Sequence, residues 1–582
     1  MDKLSSLKKY FIRYKGKITL GVLFILISNA AQVYIPLLLK DSIELIQHTK
    51  DYNRLYDYAL LMVAAALVAG VFRFLIRMTI IVVSREIEYD LRYDFWAHLQ
   101  KLPFRFYQNN TIGNLMAHAT NDIGAVRMYV GPAVMYSIDT LTKFIITITI
   151  MMVLSWELTV YTLIPLPLLS YVVYKLSKRI HEKFTLIQEK FSDLTTLAQE
   201  NFAGIRVIKS YVREEREVEK FTKMSKDYLN RNMDKVKIQA LFMPILFLIS
   251  GVSIIIVVWA GGTMVINGAL TLGDMSAFII YLGMLIWPMI AFGWVVNIIQ
   301  QASASMKRLG KIWREKREIE DTSLTRHLIN DLAGHIKFNN VSFKYEDHLP
   351  YALRNINIEI PKGATVAVIG HTGSGKSTLL NLLPRFFDVK EGEILIDGYN
   401  IKEIPLKVLR RNIGMVPQET FLFSDTIKNN ILYGVKNGTM EIVEKAAEIS
   451  LLKNDVDQFK DGYETILGER GITLSGGQKQ RTCLARAIAI DPDILILDDS
   501  FSAVDTNTEE AILANLKGFM EKRTSIIVSH RISTVKNADK IYVLKDGEIA
   551  EEGTHDSLVN LNGVYAELHY KQLLEEELKE LS

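Results

Sequence analysis

Cysteine is almost missing from this sequence: Cys483 is the only one in 582 residues, so neither an intrachain disulfide nor a cysteine-rich metal site can form. An excess of charge of either sign is missing too. A formal net charge of +3 is too small for this length to imply a nucleic-acid partner, and what matters more is where the cations sit. A secretory leader is not expected either: the first apolar run, from about 18 to 39, is too long for a signal-peptide core, and no small-residue cleavage pattern follows it.

Apolar length is what the sequence has in quantity. A mean hydropathy above zero and 49% apolar residues predict a membrane portion joined to a soluble one. Runs at about 18–39, 57–82, 131–154, 157–175, 238–266 and 275–299 each reach roughly the 20 residues that a hydrocarbon core about 30 Å thick demands. Six spans return the chain to the side where it began. The connection 261–274 holds no Lys or Arg, whereas 175–237 holds Lys175, Lys178, Arg179, Lys183, Lys190, Arg206, Lys209, Arg213 and others, an excess that marks the cytoplasm. Lys40, Lys50 and Arg54 fall on the opposite side and run against that count. Residues 1–17 carry Lys3, Lys8, Lys9, Arg13, Lys15 and Lys17 around Leu4, Leu7, Tyr10 and Phe11, which predicts a basic interfacial helix with its N-terminus inside.

The segments 83–128 and 176–237 keep helical apolar spacing with charged faces, so the spanning helices are expected to continue well past the membrane. Each is interrupted, at Asn109–Asn114 and at Phe202–Arg206, where turn chemistry either reverses the chain to present a short helix to a neighbour or forms a plain hairpin tip. Arg73 and Arg77 lie one helical turn apart within the second span, and Asp139 and Lys143 repeat that spacing in the third. Charges at this depth face protein or water, so they either line a cavity or tie helices together. In the sixth span, Phe278, Tyr281, Met284, Trp287, Phe292 and Trp294 either form an adaptable apolar pocket or pack against helices and lipid, and Pro288 can kink the helix.

The soluble half carries the chemistry. An apolar run, Thr365-Val366-Ala367-Val368-Ile369, is followed by Gly370, His371, Thr372, Gly373, Ser374, Gly375, Lys376, Ser377 and Thr378, and then by helical spacing through Leu379, Leu380, Leu382, Leu383 and Phe386. Strand, glycine-rich loop and helix define a P-loop: its backbone N–H groups and the helix N-terminus hold phosphates, Lys376 reaches the β- and γ-phosphates, and Ser377 can ligate Mg²⁺. A nucleoside triphosphate is the implied ligand. Ile494 to Leu497 reads as a buried parallel strand ending in Asp498-Asp499, a carboxylate tip suited to Mg²⁺. Ser525 to Ser529 is a second such run, ending in His530, which either contacts the γ-phosphate or is structural. Tyr345, at the end of a β-rich entry, either stacks on a base or packs its strand. Leu474-Ser475-Gly476-Gly477-Gln478 opens another helix and so forms a second anion site, which makes sense if it grips the nucleotide of another subunit.

With these motifs in place the chain resembles, over essentially its whole length, a half-transporter of the ATP-binding cassette exporter family. Tyr345 is similar to the family's base-stacking aromatic, Gly370 to Thr378 to its Walker A motif, Gln418 to its Q-loop residue and Gly468 to Gly471 to its X-loop. Leu474 to Gln478 resembles the family signature, Ser502-Ala503-Val504-Asp505 the D-loop, and His530 the switch histidine. The resemblance implies ATP and Mg²⁺ as cofactors, with Ser377, Gln418 and Asp498 around the metal, Asp499, His530 and Gln418 around the reacting phosphate, and Ser475, Gly476, Gly477, Gln478 and Asp505 meeting nucleotide across a subunit interface. It implies a type I exporter fold: a six-span helical domain over 1–300, a linker over 301–334, and an α/β nucleotide-binding domain over 335–582 with an antiparallel β subdomain and a helical subdomain. It also turns the interruptions at about 109–118 and 202–210 into coupling helices.

One position departs from the family. Glutamate is expected after the Walker B aspartate, and this chain has Asp499, whose carboxylate is set back by one bond, about 1.5 Å; misplacement of about 1 Å can cost on the order of a hundredfold in rate. The same substitution is typical of one subunit, the BmrC-type half, of heterodimeric bacterial multidrug exporters. The expectation is therefore ATP-driven export of amphiphilic or hydrophobic compounds by alternating access across the bacterial cytoplasmic membrane, as one half of a heterodimer. The partners implied are a second half-transporter, the transported small molecule and membrane lipids, with no nucleic acid. Alternatives are a lipid flippase or peptide exporter half, as a heterodimer or a homodimer, and an ATP-gated channel or regulatory subunit without net transport.

Overall fold

The computed structural model describes residues 4–48 and 51–580, so Lys3 and Lys50 lie outside the described residues. The chain divides into two compact units, Met1–Gln100 with Thr111–Glu315, and Lys101–Asn110 with Lys316–Ser582.

In the first unit, among the described residues, five helical stretches are long and apolar enough to cross a membrane: Lys15–His48, Tyr52–Leu99, Ile112–Leu154, Glu214–Ile266 and Leu272–Trp313. The remaining expected span, 157–175, is assembled from two helices, Trp156–Leu163 and Pro165–Ala203, that meet at Ile164. Pro165 has no N–H to continue the first ladder, and its fixed φ suits the first turn of the second. Helix Leu272–Trp313, by contrast, passes through Pro288 without ending.

Polar contacts set how these helices pack. Three cations of the N-terminal segment are committed to carboxylates: Lys9 pairs with Asp94 at 2.7 Å, Arg13 with Asp90 at 2.9 Å and Lys17 with Glu86 at 2.6 Å. A spacing of four on both segments puts each set on one helical face, in antiparallel order. One cation from each of the second and third spans meets a residue that the charge pattern did not single out. Arg73 and Lys143 both donate to Gln32 Oε1, at 3.2 and 3.1 Å, and Asn29 Nδ2 donates to the Asp139 carbonyl at 3.1 Å. Lys40, counted against the charge asymmetry, pairs with Asp274 at 2.9 Å. The helices come close there because residue 273 is glycine, where a Cβ would stand 2.6 Å from the Lys40 carbonyl oxygen. The aromatic set of the sixth span is divided: Phe278 and Tyr281 are fully buried, while Trp287 and Phe292 are exposed.

Two short helices stand near the expected interruptions. The second, Ile205–Ser210, follows Gly204 as read. The first, Phe104–Asn109, precedes its interruption instead of following it. Pro103 starts it, and Asn110 in an extended conformation ends it before Thr111 caps the next helix. Phe104 stacks on Phe386 at 5.6 Å, and Arg105 lies 3.5 Å from Glu346, so this segment belongs to the second unit.

The second unit holds two sheets. A four-stranded antiparallel sheet contains Leu353–Ile360, Ile336–Phe343, Glu391–Ile396 and Tyr399–Asn400, in that order. A six-stranded sheet runs Glu548–Gly553, Lys540–Lys545, Thr365–Gly370, Thr524–Val528, Ile494–Asp498 and Ile413–Val416. Its last five strands pair in parallel, and Ile494–Asp498 and Thr524–Val528 are buried throughout. That is why they read as unbroken apolar runs. A separate core, including Ile427, Ile431, Val443, Ala446, Leu452 and Leu484, builds the helical subdomain.

Candidate functional site: a nucleotide cavity at the strand tips

In a parallel sheet the C-terminal ends of adjacent strands deliver their following loops to one edge, where ligands bind. Here four neighbours do so. Thr365–Gly370 leads into the P-loop, Thr524–Val528 into His530, Ile494–Asp498 into Asp499, and Ile413–Val416 into Gln418. These loops enclose a cavity of about 510 Å³ lined by Tyr345, Thr372, Gly373, Gly375, Lys376, Ser377, Thr378, Gln418, Asp498, Asp499 and His530.

The P-loop is held by close approach. Gly375 has φ +102°, and a Cβ on it would lie 2.7 Å from the Ala352 carbonyl oxygen; a Cβ on Gly370 would collide with the Leu544 carbonyl. Only glycine fits either place. The Lys376 ammonium donates to the Gly370 and His371 carbonyls at 2.8 and 2.9 Å. Burial lowers its pKa, and the charges of Asp498 and Asp499 oppose that shift. The buried Ser374 hydroxyl has no hydrogen-bond partner. Tyr345 packs its ring edge-on against Phe343 and Phe387, and its hydroxyl meets Thr378 Oγ1 at 2.9 Å.

The residues present fit a Mg²⁺-nucleotide. Loop amides at a helix N-terminus and a buried ammonium suit a polyphosphate. Ser377, Asp498 and Gln418 bring a hydroxyl, a carboxylate and an amide oxygen to the same cavity, the hard oxygen donors that Mg²⁺ prefers. ATP, when bound, supplies the transferable phosphoryl group, and Mg²⁺ neutralises its charge.

The carboxyl of Asp498 is pushed above the ordinary range, chiefly by burial; the Ser377 hydroxyl opposes this and the Asp499 charge adds to it. Because a carboxyl must lose its proton to bind a metal, a raised pKa means that acidification competes with Mg²⁺ earlier than it would at an exposed aspartate. Mg²⁺-dependent nucleotide binding is expected to weaken as pH falls, starting above the usual carboxylate range, and Asp498→Asn should leave a weak remainder with a shallower pH dependence. Mg²⁺ titrations at stepped pH check this; a wild-type profile identical to that of Asp498→Asn would refute it.

Asp499 sits at the strand tip with φ +46° and donates its N–H to the Val528 carbonyl at 2.8 Å. That is the left-handed region, which Asp and Asn enter more readily than other side chains.

The segment expected to form a second phosphate-binding end stands elsewhere. Ser475, Gly476, Gly477, Gln478 and Asp505 do not line the cavity. Ser475 and Gln478 form a reciprocal cap on helix Gly476–Ala489. A Cβ on Gly477 would come within 3.2 Å of the Ala503 carbonyl oxygen. Gln480, which the sequence reading passed over, joins this helix to the 502–505 loop by accepting from Ala503 N and donating to Ser502 Oγ, both at 3.0 Å. The Asp505 carboxylate caps the next helix through Thr508 N at 2.9 Å. Tyr351, Ala352, Val528, Asp546 and Gly547 line the cavity and were also missed. Asp546-Gly547 is legible as a turn between two strands, though nothing in its pattern marks a ligand contact.

A P-loop cavity in an α/β domain with a helical subdomain, joined to a bundle of membrane-length helices, defines an ATP-binding cassette transporter. Residues 18–289 match the family described as ABC transporter transmembrane region, and residues 353–502 the family ABC transporter. The chain is 35% identical over 582 residues to the multidrug resistance-like ATP-binding protein MdlA of Buchnera aphidicola subsp. Schizaphis graminum, covering all of both chains. It is 37% identical over 572 residues to the probable multidrug resistance ABC transporter ATP-binding/permease protein YheI of Bacillus subtilis, covering 97% of this chain and 96% of that one. It is 34% identical over 544 residues to the ATP-dependent lipid A-core flippase of Desulfotalea psychrophila, covering 94% of each. A bacterial Atm1-family ABC exporter solved with ATP bound superposes with a TM-score of 0.79 at 26% identity, over 96% of this chain and 99% of that one. The chain belongs to the ATP-binding cassette exporters, with the type I exporter fold, and is an ATP-hydrolysing membrane transporter that uses ATP and Mg²⁺.

Proposed function

We propose that this chain is one half of a heterodimeric multidrug exporter of the bacterial cytoplasmic membrane, with its N-terminus and nucleotide domain in the cytoplasm, and that it contributes the weaker of two composite ATP sites. The observation that carries this is the separation of its two phosphate-binding ends. The P-loop cavity holds Asp499 in place of the longer glutamate, while Ser475, Gly476 and Gly477 lie outside that cavity and are open to a second subunit's nucleotide. In this reading Lys376 and the loop amides bind the phosphates and Tyr345 supports the base. Ser377, Gln418 and Asp498 hold Mg²⁺, His530 meets the γ-phosphate, and Asp505 acts at the interface through the helix it caps. The short helices Phe104–Asn109 and Ile205–Ser210 carry the closure of the nucleotide domains to the spans. The names of the MdlA and YheI relatives support drug-like cargo. A flippase acting on a lipid is the second reading, supported by the flippase relative and by the two cations that share Gln32. ATP-dependent accumulation of an amphiphilic fluorophore in inverted vesicles tests export; translocation of a fluorescent lipid without fluorophore uptake would favour the flippase.

Purified alone, the chain is expected to hydrolyse ATP slowly, since a homodimer would carry Asp499 in both sites. Co-purification with the right partner should raise turnover at least about tenfold, the scale of supplying one well-placed base. A fast, drug-stimulated homodimer would defeat the heterodimer reading.

A further inference from the structure

His530 reaches the cavity from a short loop between strand Thr524–Val528 and helix Ile532–Val535. Such a loop has main-chain groups without ladder partners, among them the first N–H of the following helix. Both groups that flank His530 are taken up by one side chain from the far end of the chain. Gln572 Nε2 donates to the His530 carbonyl, and Gln572 Oε1 accepts from Ile532 N at 2.8 Å.

The helix that carries Gln572, Val564–Glu580, is fixed in place. Its first N–H groups, those of Val564 and Tyr565, donate to the Glu551 carboxylate at 2.5 and 3.1 Å. Tyr565 is fully buried, with its hydroxyl 2.7 Å from His555 Nδ1. Gln572 is two helical turns beyond Tyr565 and so shares its inward face. The loop is pinned from its other side by the buried carboxylate of Glu509, which accepts from Arg531 and Thr534. The main chain beside the histidine is thus held by Gln572 of the C-terminal helix, while Glu509 of helix Thr506–Met520 ties down the side chains of Arg531 and Thr534 that follow it.

We propose that Gln572 is a positioning residue for His530: by holding the carbonyl of His530 and the amide of Ile532 it sets the reach of the imidazole into the cavity, and with it the preference of this site for ATP over ADP. The proposal rests on the reading of His530 as the residue that meets the γ-phosphate. ADP lacks that phosphate, so its binding by the P-loop does not depend on His530 and reports only whether the domain is folded.

The test uses the full-length chain in membranes. Competition of ATP and of ADP against a photoreactive ATP analogue, scored on this chain's band, gives both affinities for the wild type, Gln572→Met, His530→Ala and the double variant. Gln572→Met keeps length and removes both hydrogen bonds. It is expected to weaken ATP about tenfold, the scale of one hydrogen bond to a charged group, with ADP unchanged and no further loss on top of His530→Ala. An unchanged ATP affinity, equal losses for ATP and ADP, or losses that add to those of His530→Ala would overturn the proposal. Should His530→Ala itself leave the ATP preference intact, the reading of the histidine fails and the proposal falls with it. Each readout is a binding ratio, so the test does not depend on whether the Asp499 site turns over or on what the transporter carries.

Discussion

Lys376→Ala is expected to weaken ATP binding at this chain's own cavity by about tenfold to a hundredfold, the range for losing a hydrogen-bonding cation that faces a phosphate. Lys376 is the only side-chain cation in the P-loop and is buried in the cavity wall. Its ammonium is held at the loop by two carbonyls, so the charge is already in place before a ligand arrives. The substitution also leaves those carbonyls without their donor, and some loss of domain stability is expected alongside. Photolabelling of this chain by an azido-ATP analogue, with thermal unfolding followed in parallel, separates the two effects. Labelling undiminished in a folded Lys376→Ala protein would mean that the phosphates bind elsewhere.

What could be read from the sequence was whatever is local. The P-loop, the Asp498-Asp499 tip and the position of His530 were readable because strand, loop and helix follow one another within a few residues, and the parallel strands announce themselves as unbroken apolar runs. The long helices were readable for the same reason, since 3.6-residue periodicity needs no tertiary information. The interruption at Ile164 was concealed inside a continuous apolar run, although Pro165 marks it once the helix geometry is known. Pairings across long separations were not readable. Gln32 accepting from both Arg73 and Lys143, Gln480 bridging to the 502–505 loop, and Gln572 clasping a loop 42 residues earlier involve glutamines whose neighbours in sequence do not say which distant group they meet. The antiparallel ladder from Lys9 to Glu86 was equally hidden. The i, i+4 spacing is present on both segments, but nothing local says that they face each other, so the sequence predicts only a basic interfacial helix. The left-handed backbone of Asp499 is set by its bond to Val528, a strand that follows it in sequence and lies beside it only in the fold.

That backbone matters for the asymmetry expected within the complex. Asp499→Asn places in the left-handed region the side chain that tolerates it as well as aspartate does, keeps the N–H donated to Val528, and removes only the carboxylate charge. If Asp499 belongs to the impaired site, its loss should lower steady-state ATPase of the co-expressed complex only a few-fold. Ser475→Arg acts on the other site, where this chain's signature closes over the partner's nucleotide. A long cation there displaces the hydroxyl and amides at the start of helix Gly476–Ala489, and ATPase and transport should fall by a hundredfold or more. The same change removes the Ser475 cap, worth about 1 kcal/mol. The helix remains anchored by Gln478 and Arg481 on Asp455, so local unfolding does not explain so large a loss. Ser475→Ala controls for the cap alone and should cost far less than the arginine. In a homodimer that relies on Asp499 in both sites, Asp499→Asn would be as damaging as Ser475→Arg. Comparable hundredfold losses from the two variants would therefore defeat the asymmetric assignment, whereas a large loss from Ser475→Arg beside a small one from Asp499→Asn follows only if the two composite sites carry unequal shares of hydrolysis.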